Sequence, residues 1–366
     1  MAADRTAFPI SHDDGPWHLR AIRLPGGIQP EDWWIVDGQV SDTPVPNARD
    51  LPGGWFLPGG LVDAHAHLTM NFNGFALRDG SSELITANLA AQRATGVLAL
   101  RDAGLAWGGK PQSESRVQRA GSLLAAPGRG YPHICRWVEA DQLVNVALEE
   151  VSQGAAWVKI MADFPGPDGD WFAAPSNYPR DVLHALVRAV HGAGARVMAH
   201  STGQAAADLV YAGVDSIEHG MQLNGELLEE MARRGSAWTL TMATALKHIG
   251  PLTTLNNPIG AAIRAEFARI RELLPLAVSL GVPLLAGTDE LPHGALAQEI
   301  ALLHDFGLSA KESITLASTG ARAYLGFPGF EVAAPGDLIT FTSDPRTNLA
   351  TLAQPAVVVF NGQRIR

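Results

Sequence analysis

The sequence is 366 residues long, which suits one large barrel of about 250 residues with an accessory domain, or two medium-sized domains. Hydrophobic residues make up 46% of the chain and charged residues 17%, so the chain can bury a sizeable core and is not intrinsically disordered. The net charge of −10 argues against a nucleic-acid partner, which requires concentrated positive charge.

The inventory of ligand-type residues is uneven. One cysteine, Cys135, excludes an intrachain disulfide and a cysteine-based zinc finger, whereas the twelve histidines suit a metal held through nitrogen and oxygen. Residues 1–10 lack a cationic start followed by an apolar run, and no stretch of about 18 apolar residues occurs anywhere. We therefore expect a cytoplasmic protein without a membrane partner.

In chain order, three regions with different residue patterns follow one another. Residues 1–58 are rich in Pro, Gly and Trp, and the short runs Trp33–Val36 and Gln39–Val40 flank the turn Asp37-Gly38, as in small antiparallel strands. From residue 59 to 326, short apolar strands alternate with amphipathic helices. The eight strand candidates are Leu61–Leu68, Val97–Asp102, Ser122–Ala126, Trp157–Met161, Arg196–His200, Ser216–His219, Trp238–Met242 and Pro283–Thr288. Strand texture returns in Asp337–Thr342 and Ala356–Phe360.

Eight repeated strand–helix units favour an α/β fold of the (β/α)8 TIM-barrel type over an open doubly wound sheet. Residues 59–326 are therefore predicted to form the barrel. The two flanks, 1–58 and 327–366, share the same strand texture. We expect them to pair into one small β domain.

Polar side chains occur where several predicted barrel strands end, which is where active sites of this fold lie. Strand one ends Asp63-Ala64-His65-Ala66-His67, and residues i and i+2 of a strand face the same side, so both imidazoles can converge on one ion. The other such residues are Lys159 on strand four, His200 on strand five, His219 on strand six and Asp289 on strand eight. Four imidazoles and one carboxylate suit a divalent transition metal, with zinc the leading choice.

Each of these residues alone has an ordinary interpretation as well. A single histidine is more often a satisfied core residue than a ligand, and a single lysine usually reaches along the surface. Lys159, however, lies inside an apolar strand, where an ammonium without a partner is costly, so it must be paired or chemically altered. The joint occurrence of all six in order is what favours a metal site.

These residues resemble the amidohydrolase superfamily, in particular its imidazolonepropionase-like and prolidase-like hydrolases. The matching stretches are Leu57-Pro58-Gly59-Gly60-Leu61-Val62-Asp63-Ala64-His65-Ala66-His67, Arg101-Asp102-Ala103-Gly104, Val158-Lys159-Ile160, Glu218-His219-Gly220, Ala286-Gly287-Thr288-Asp289 and Pro292-His293-Gly294. The resemblance implies a (β/α)8 barrel beside a β-sandwich domain built from both chain termini.

The resemblance also implies a site. His65, His67 and Asp289 would hold one metal, and His200 and His219 a second. Lys159 matches the position at which binuclear members carry a carboxylated lysine that bridges both ions. The metals would lower the pKa of a water so that hydroxide attacks the substrate carbonyl, and Asp289 would carry the proton to the leaving nitrogen.

Two further inferences concern specificity. The loop after strand three lies where relatives place substrate-binding groups, which makes Tyr131 and His133 substrate candidates, and His293 is a third. Deaminase members commonly have a glutamate three residues after the strand-five histidine, and Gly203 stands there in this sequence. This departure counts against deamination.

The leading hypothesis is a metal-dependent hydrolase with two zinc ions, or another divalent metal, acting on an amide-type C–N bond of a small molecule. A dipeptide, an N-acyl amino acid or a cyclic amide would be the substrate. The alternatives are a mononuclear deaminase or a hydrolase of imidazolone or lactone rings, in which Lys159 stays an ordinary lysine, and a non-catalytic barrel scaffold. The scaffold predicts missing ligands, yet every ligand position is filled. A homo-oligomer is left open.

Overall fold

The computed structural model describes residues 15–70, 82–105, 116–165 and 171–366. The expectation drawn from residues 1–10 lies outside this part of the chain. The described residues form two sheets, one of eight strands and one of nine, with helices packed around the second. This is the mixed α/β architecture that the strand–helix alternation predicts.

A nearly closed parallel barrel forms the larger unit. Its strands are Leu61–Ala66, Val97–Asp102, Val117–Ala125, Trp157–Met161, Arg196–Ser201, Ser216–His219, Ala237–Leu240 and Leu284–Ala286, and they neighbour one another in chain order. A short ninth strand, Arg136–Trp137, pairs with the third strand from the loop that follows it. All eight predicted strands are present; the third begins at Val117 rather than at Ser122.

The last strand meets the first through residues that also build the site. Beyond its end, Thr288 donates its backbone N–H to Asp63 and Asp289 donates its backbone N–H to the His65 carbonyl, at 3.0 and 2.8 Å. Gly287 makes this approach possible, because a Cβ at that position would lie 2.3 Å from the Cβ of His65. The close contact of these two chain segments sets Asp289 beside the first strand.

The second sheet is curled and takes strands from both chain termini. Its strands are Trp17–Arg23, Pro30–Val36, Gln39–Ser41, Arg49–Asp50, Trp55–Pro58, Leu338–Phe341, Val357–Phe360 and Gln363–Arg364. Leu338–Phe341 runs antiparallel to Trp55–Pro58, which joins the two ends of the chain. The indole of Trp17 donates to the Gly362 carbonyl at 3.0 Å and adds a second link. The structure thus has the TIM barrel and the terminal β unit that the sequence predicts.

The helices surround the barrel. They are Ser82–Ala94, Leu143–Ser152, Arg180–Gly192, Ala206–Ala212, Gly225–Arg234, Met242–His248, Pro258–Leu280, Leu296–Asp305, Ala310–Leu316 and Thr319–Leu325, with 3-10 turns at Gly250–Thr254 and Leu349–Ala353. Glycines 213, 235, 281 and 326 end four of them in left-handed conformations. None of the helices in the described residues is both long and apolar enough to cross a membrane.

Candidate metal centre

Three side chains from three different strands meet at the carboxyl end of the barrel. His65, His219 and Asp289 each offer a ligand atom, and these atoms all lie within 4.8 Å of one another. The Nε2 atom of His65 is 3.7 Å from Oδ1 of Asp289. The strand order explains the meeting, since parallel strands present their carboxyl ends at the same edge. The cluster has the number and type of groups that a divalent transition metal uses.

Two further histidines border this group. Nε2 of His67 lies 3.3 Å from the same Asp289 oxygen, and its Nδ1 donates to the Gly104 carbonyl at 3.2 Å. The ring of His200 packs against that of His219 with centroids 4.6 Å apart. His219 also shares a hydrogen bond of 2.7 Å between its Nδ1 and the Thr241 hydroxyl, which leaves Nε2 as its free ring nitrogen. Four imidazoles and one carboxylate are therefore contiguous.

The backbone at two of these residues is unusual. His219 has φ 66° and Asp289 φ 47°, in the left-handed region that non-glycine residues seldom adopt. Such conformations cost of order 1–3 kcal/mol each and persist where surrounding contacts enforce them. The fold therefore holds these two side chains in place at some cost in stability.

Lys159 lies inside the barrel below the histidines. Its side chain is 2% exposed, and among the described residues its Nζ has no hydrogen-bond partner. Burial lowers the pKa of Lys159 to about 8, although the carboxylates of Glu218 and Asp289 oppose the shift. A neutral amine is thus accessible near neutral pH. The sequence analysis predicts that this lysine is either paired or chemically altered. Among the described residues the structure shows no polar partner for its Nζ.

Burial also governs the protonation of the histidines. It lowers the pKa of His65 and of His200 well below 6.5, and that of His219 to about 4. These imidazoles are therefore neutral at pH 7, which is the form that binds a metal. His67 differs, because its contact with Asp289 outweighs burial and raises its pKa. Burial would raise the pKa of Asp289, yet the neighbouring histidines hold it below its ordinary value.

A buried polar network beneath the cluster orients His65. Glu218 accepts a hydrogen bond from Nδ1 of His65 at 2.6 Å, so Nε2 is the nitrogen that faces Asp289. Arg101 donates to Glu218 at 2.9 Å and to the Thr239 hydroxyl at 2.9 Å, and its guanidinium lies over the ring of Trp157. Such carboxylate contacts fix the tautomer and direction of a ligating imidazole.

Two buried aspartates tie neighbouring loops to the site. Asp63 accepts the Thr288 hydroxyl at 2.7 Å and the amide of Gln92 at 2.9 Å, which fixes the segment that carries Asp289. Asp163, beyond strand four, accepts the Ser201 hydroxyl at 2.9 Å and so fixes the segment after His200. The segment that carries Asp289 and the segment that follows His200 are thus each held by hydrogen bonds to a buried aspartate.

The residues present fit a divalent metal. Three ligand atoms lie close enough for one ion, two more imidazoles adjoin them, and the Nζ of Lys159 has no partner among the described residues. Neutral imidazoles and a carboxylate are the donor set of hydrolytic zinc sites. The region is accordingly a candidate metal centre.

Comparison with known proteins finds a relative in sequence and solved structures with the same architecture. An uncharacterised protein of Mycobacterium tuberculosis strain H37Rv is 34% identical over 359 residues, covering 94% of this chain and 95% of that protein. No family model matches the chain. A solved amidohydrolase is 23% identical with a TM-score of 0.77, covering 95% of this chain and 98% of its own. A prolidase complexed with N-methylphosphonate-L-proline is 24% identical with a TM-score of 0.78, covering 95% and 99%.

The chain belongs to one family with the mycobacterial protein, and it shares the fold of the solved amidohydrolase and the solved prolidase. This fold is the one that the resemblance of the strand-end motifs implies. The two solved structures cover nearly the whole chain, including the barrel and the terminal sheet.

The three substrate candidates lie in different settings. Tyr131 is 43% exposed at the rim, and its pKa is raised by burial of the hydroxyl and by the charge of Asp289. His133 is exposed on the same loop with φ 65°. His293 is only 7% exposed, and its Nδ1 is 3.4 Å from the Gln92 amide. All three assignments stay predictions.

Sequence reasoning missed several residues that complete the site. Gln92 and Thr241 lie on a helix and after a strand where nothing in the sequence marks them. Asp163 could have been found, since it is a carboxylate directly after an apolar strand that already carries Lys159. Phe164 and Trp171, which adjoin the site, also escaped the sequence analysis.

Proposed function

We propose that the protein is a metal-dependent amidohydrolase that hydrolyses an amide-type C–N bond of a small molecule. The observation that carries the proposal is the group of His65, His219 and Asp289, with ligand atoms within 4.8 Å of one another. The solved prolidase of the same fold, bound to a phosphonate analogue of a proline compound, supports an amide-type substrate. A dipeptide, an N-acyl amino acid or a cyclic amide are the substrates to test first.

The metal content belongs to the same proposal. We infer two zinc ions, or another divalent metal, with His65, His67 and Asp289 around one and His200 and His219 around the other. Lys159 would bridge them as a carbamate: its neutral amine adds to carbon dioxide and loses a proton, leaving an anion. The buried Nζ without a partner among the described residues and its lowered pKa support this assignment.

When bound, the metal would supply a water of lowered pKa and polarise the substrate carbonyl. The chain's own residues supply the rest. The low pKa of Asp289 keeps it ionised at neutral pH, so its carboxylate can accept a proton and pass it to the leaving nitrogen. Glu218 and Arg101 keep the His65 ring in one orientation.

The deaminase alternative finds little support. It would need a glutamate at residue 203, but a Cβ there would lie 2.4 Å from the Ala174 carbonyl oxygen. Backbone therefore occupies the space where such a side chain would begin. A lactone or imidazolone ring opening would use the same metal chemistry and is an outcome of the assay.

The test is an assay of the metal-stripped and zinc-restored protein on dipeptides, N-acyl amino acids, lactams, lactones and aminated heterocycles. Amine release that depends on restored metal is the expected result. Release of ammonia from a heterocycle, or opening of a lactone without any amide turnover, would point to the alternatives. A fully metal-loaded protein that turns over none of the panel would contradict the proposal.

A further inference from the structure

Three aromatic side chains form a continuous row at one side of the metal centre, and we call Tyr131, Phe164 and Trp171 the aromatic wall. Tyr131 meets Phe164 edge to face with ring centroids 5.1 Å apart, and Phe164 meets Trp171 in the same way at 5.0 Å. Trp171 in turn lies 6.2 Å from the ring of His200. The wall therefore begins at a proposed metal ligand and runs outward to the rim.

Tyr131 forms the other end of the wall, at the rim. Burial, and to a smaller extent the negative charge of Asp289, raise the pKa of its hydroxyl. The ring of Tyr131 nevertheless remains 43% exposed, and Phe164 and Trp171 are half-buried. Aromatic surface thus borders the reacting groups and remains open to solvent.

The wall rests on apolar side chains that accompany the ligands along the chain. Phe164 and Leu291 pack on a buried cluster that includes Met70 and Met161. Met161 follows Lys159 on its strand, Met70 follows His67, and Leu291 follows Asp289. The ligand-bearing segments themselves therefore supply an apolar base for the wall.

The polar groups next to the wall are already engaged. The carboxylate of Asp163 accepts the Ser201 hydroxyl and the Thr202 backbone N–H, both at 2.9 Å. Arg129 donates to the Phe164 carbonyl at 3.4 Å. The segment that carries Trp171 is fastened through Gln204, whose N–H donates to the Ala174 carbonyl at 2.9 Å. Hydrogen bonds thus fix the described backbone that carries Phe164 and the segment that carries Trp171.

We infer that the substrate carries an aromatic or large apolar group that stacks on Phe164 and Trp171 while its amide carbonyl lies at the metal centre. This inference rests on the proposed function and names its substrate class. An aromatic contact of this kind favours binding beyond the burial of area alone, and a small acyl or alkyl group would leave the wall in water. Phe164 and Trp171 then determine specificity and take no part in bond cleavage.

The test compares N-benzoylglycine with N-acetylglycine, and N-acetylphenylalanine with N-acetylalanine. We expect kcat/KM to favour the aromatic member of at least one pair by about tenfold or more. The pair that responds identifies which side of the scissile bond carries the group. In Trp171→Ala and Phe164→Ala the ratio of kcat/KM for the aromatic member to kcat/KM for the small member should fall towards one, mainly through KM. Trp171→Phe should restore most of this ratio. Trp34→Ala, which removes a half-buried indole of the terminal sheet, is the matched control and should leave the ratio unchanged.

Binding separates this inference from the proposed function. Titration calorimetry of the four compounds into zinc-loaded Asp289→Asn requires no turnover. One outcome is that the wild-type protein hydrolyses no amide, while the aromatic compounds bind about tenfold more tightly than their small counterparts and lose that preference in Trp171→Ala. In that case the wall is confirmed and the proposed reaction is wrong. Equal binding of both members of each pair, or a preference that survives in Trp171→Ala and Phe164→Ala, would overturn the inference. Circular dichroism checks that each variant is folded, and Trp171→Phe and Phe164→Leu replace any that is not.

Discussion

Two histidine–carboxylate hydrogen bonds of equal length lie in opposite surroundings. In the barrel, Nδ1 of His65 lies 2.6 Å from Glu218, and in the terminal sheet Nδ1 of His18 lies 2.6 Å from Asp50. His65 and Glu218 are buried, whereas the Asp50 side chain is 86% exposed. Burial lowers the pKa of His65 well below 6.5, whereas its carboxylate partners raise that of His18.

The contrast shows that contact distance alone does not decide what such a pair does. Desolvation disfavours the imidazolium, so the buried pair consists of a neutral imidazole held by a carboxylate, as a metal ligand requires. At the exposed pair the carboxylate partners favour the imidazolium of His18, and a surface ion pair of this kind contributes little to stability. Function is therefore expected at the barrel pair and weak stabilisation at the terminal pair.

The largest expected effect comes from Asp289→Asn. The amide cannot accept the proton that Asp289 is proposed to carry, and it is a poorer metal ligand, so kcat/KM on the best amide should fall by about 10³-fold or more. Steady-state kinetics at saturating zinc measures this. Asp50→Asn makes the same change at the exposed pair and should leave kcat/KM unchanged. Retained turnover in Asp289→Asn would remove this residue as the proton carrier.

Lys159→Ala tests the bridging role. If Lys159 is carboxylated, wild-type protein purified with zinc should hold about two equivalents per chain, and the variant distinctly less. Elemental analysis measures the content, and Lys311→Ala, at an exposed lysine, is the control. One equivalent in both proteins would rule out the binuclear site while leaving a mononuclear hydrolase open. Added bicarbonate should raise the zinc content of wild-type protein only.

Glu218→Gln should act on both stability and metal binding. The change leaves Arg101 buried without its carboxylate, and breaking such a pair costs about 3–5 kcal/mol of unfolding free energy. The tautomer of His65 is also no longer fixed, so zinc affinity should fall by about 10–100-fold. Urea denaturation and zinc titration measure the two effects. Glu230→Gln, which breaks an exposed pair with Arg233, should leave both unchanged within error; an equal loss there would contradict the role of burial.

Much of the barrel could be predicted from sequence because its signals are local. Apolar strands of three to nine residues and their order fix which residues end at the carboxyl face, so His65, His200 and His219 could be grouped without coordinates. The close approach of Gly287 to His65, by contrast, is visible only in the fold.

The rest could not be predicted because it depends on contacts between distant segments. Gln92 reaches Asp63 from the following helix, and Trp171 reaches His200 from a loop whose path has no periodicity to read. The pKa directions were equally out of reach, because His18 and His65 have the same kind of partner and differ chiefly in burial, which is the largest cause of the lowered pKa of His65. Sequence thus indicated the proposed ligands, and the fold was needed for the residues that orient them and for the aromatic wall.

The smallest expected effect lies at the exposed pair and depends on pH. Because the folded pKa of His18 is raised above 6.5, the ion pairs with Asp50 and Asp32 stabilise the protein below the unfolded pKa, and this contribution is lost as pH rises through the folded pKa. Wild type should therefore exceed His18→Gln in unfolding free energy by up to about 1 kcal/mol at about pH 5.5. By about pH 9 the excess should shrink. Urea denaturation at both values measures it.

The change with pH, rather than the excess itself, is the informative quantity. The ring of His18 also stacks on Trp34 with centroids 4.9 Å apart, and His18→Gln removes that contact at every pH. Both proteins share the same metal centre, so protons bound or released there cancel in the difference. Asp50→Asn keeps the stacking and removes only the first carboxylate, so it should reduce the pH-dependent part alone. A difference that is the same at both values would mean that the exposed pair, like the buried one, does not hold an imidazolium, and the contrast between the two pairs would fail.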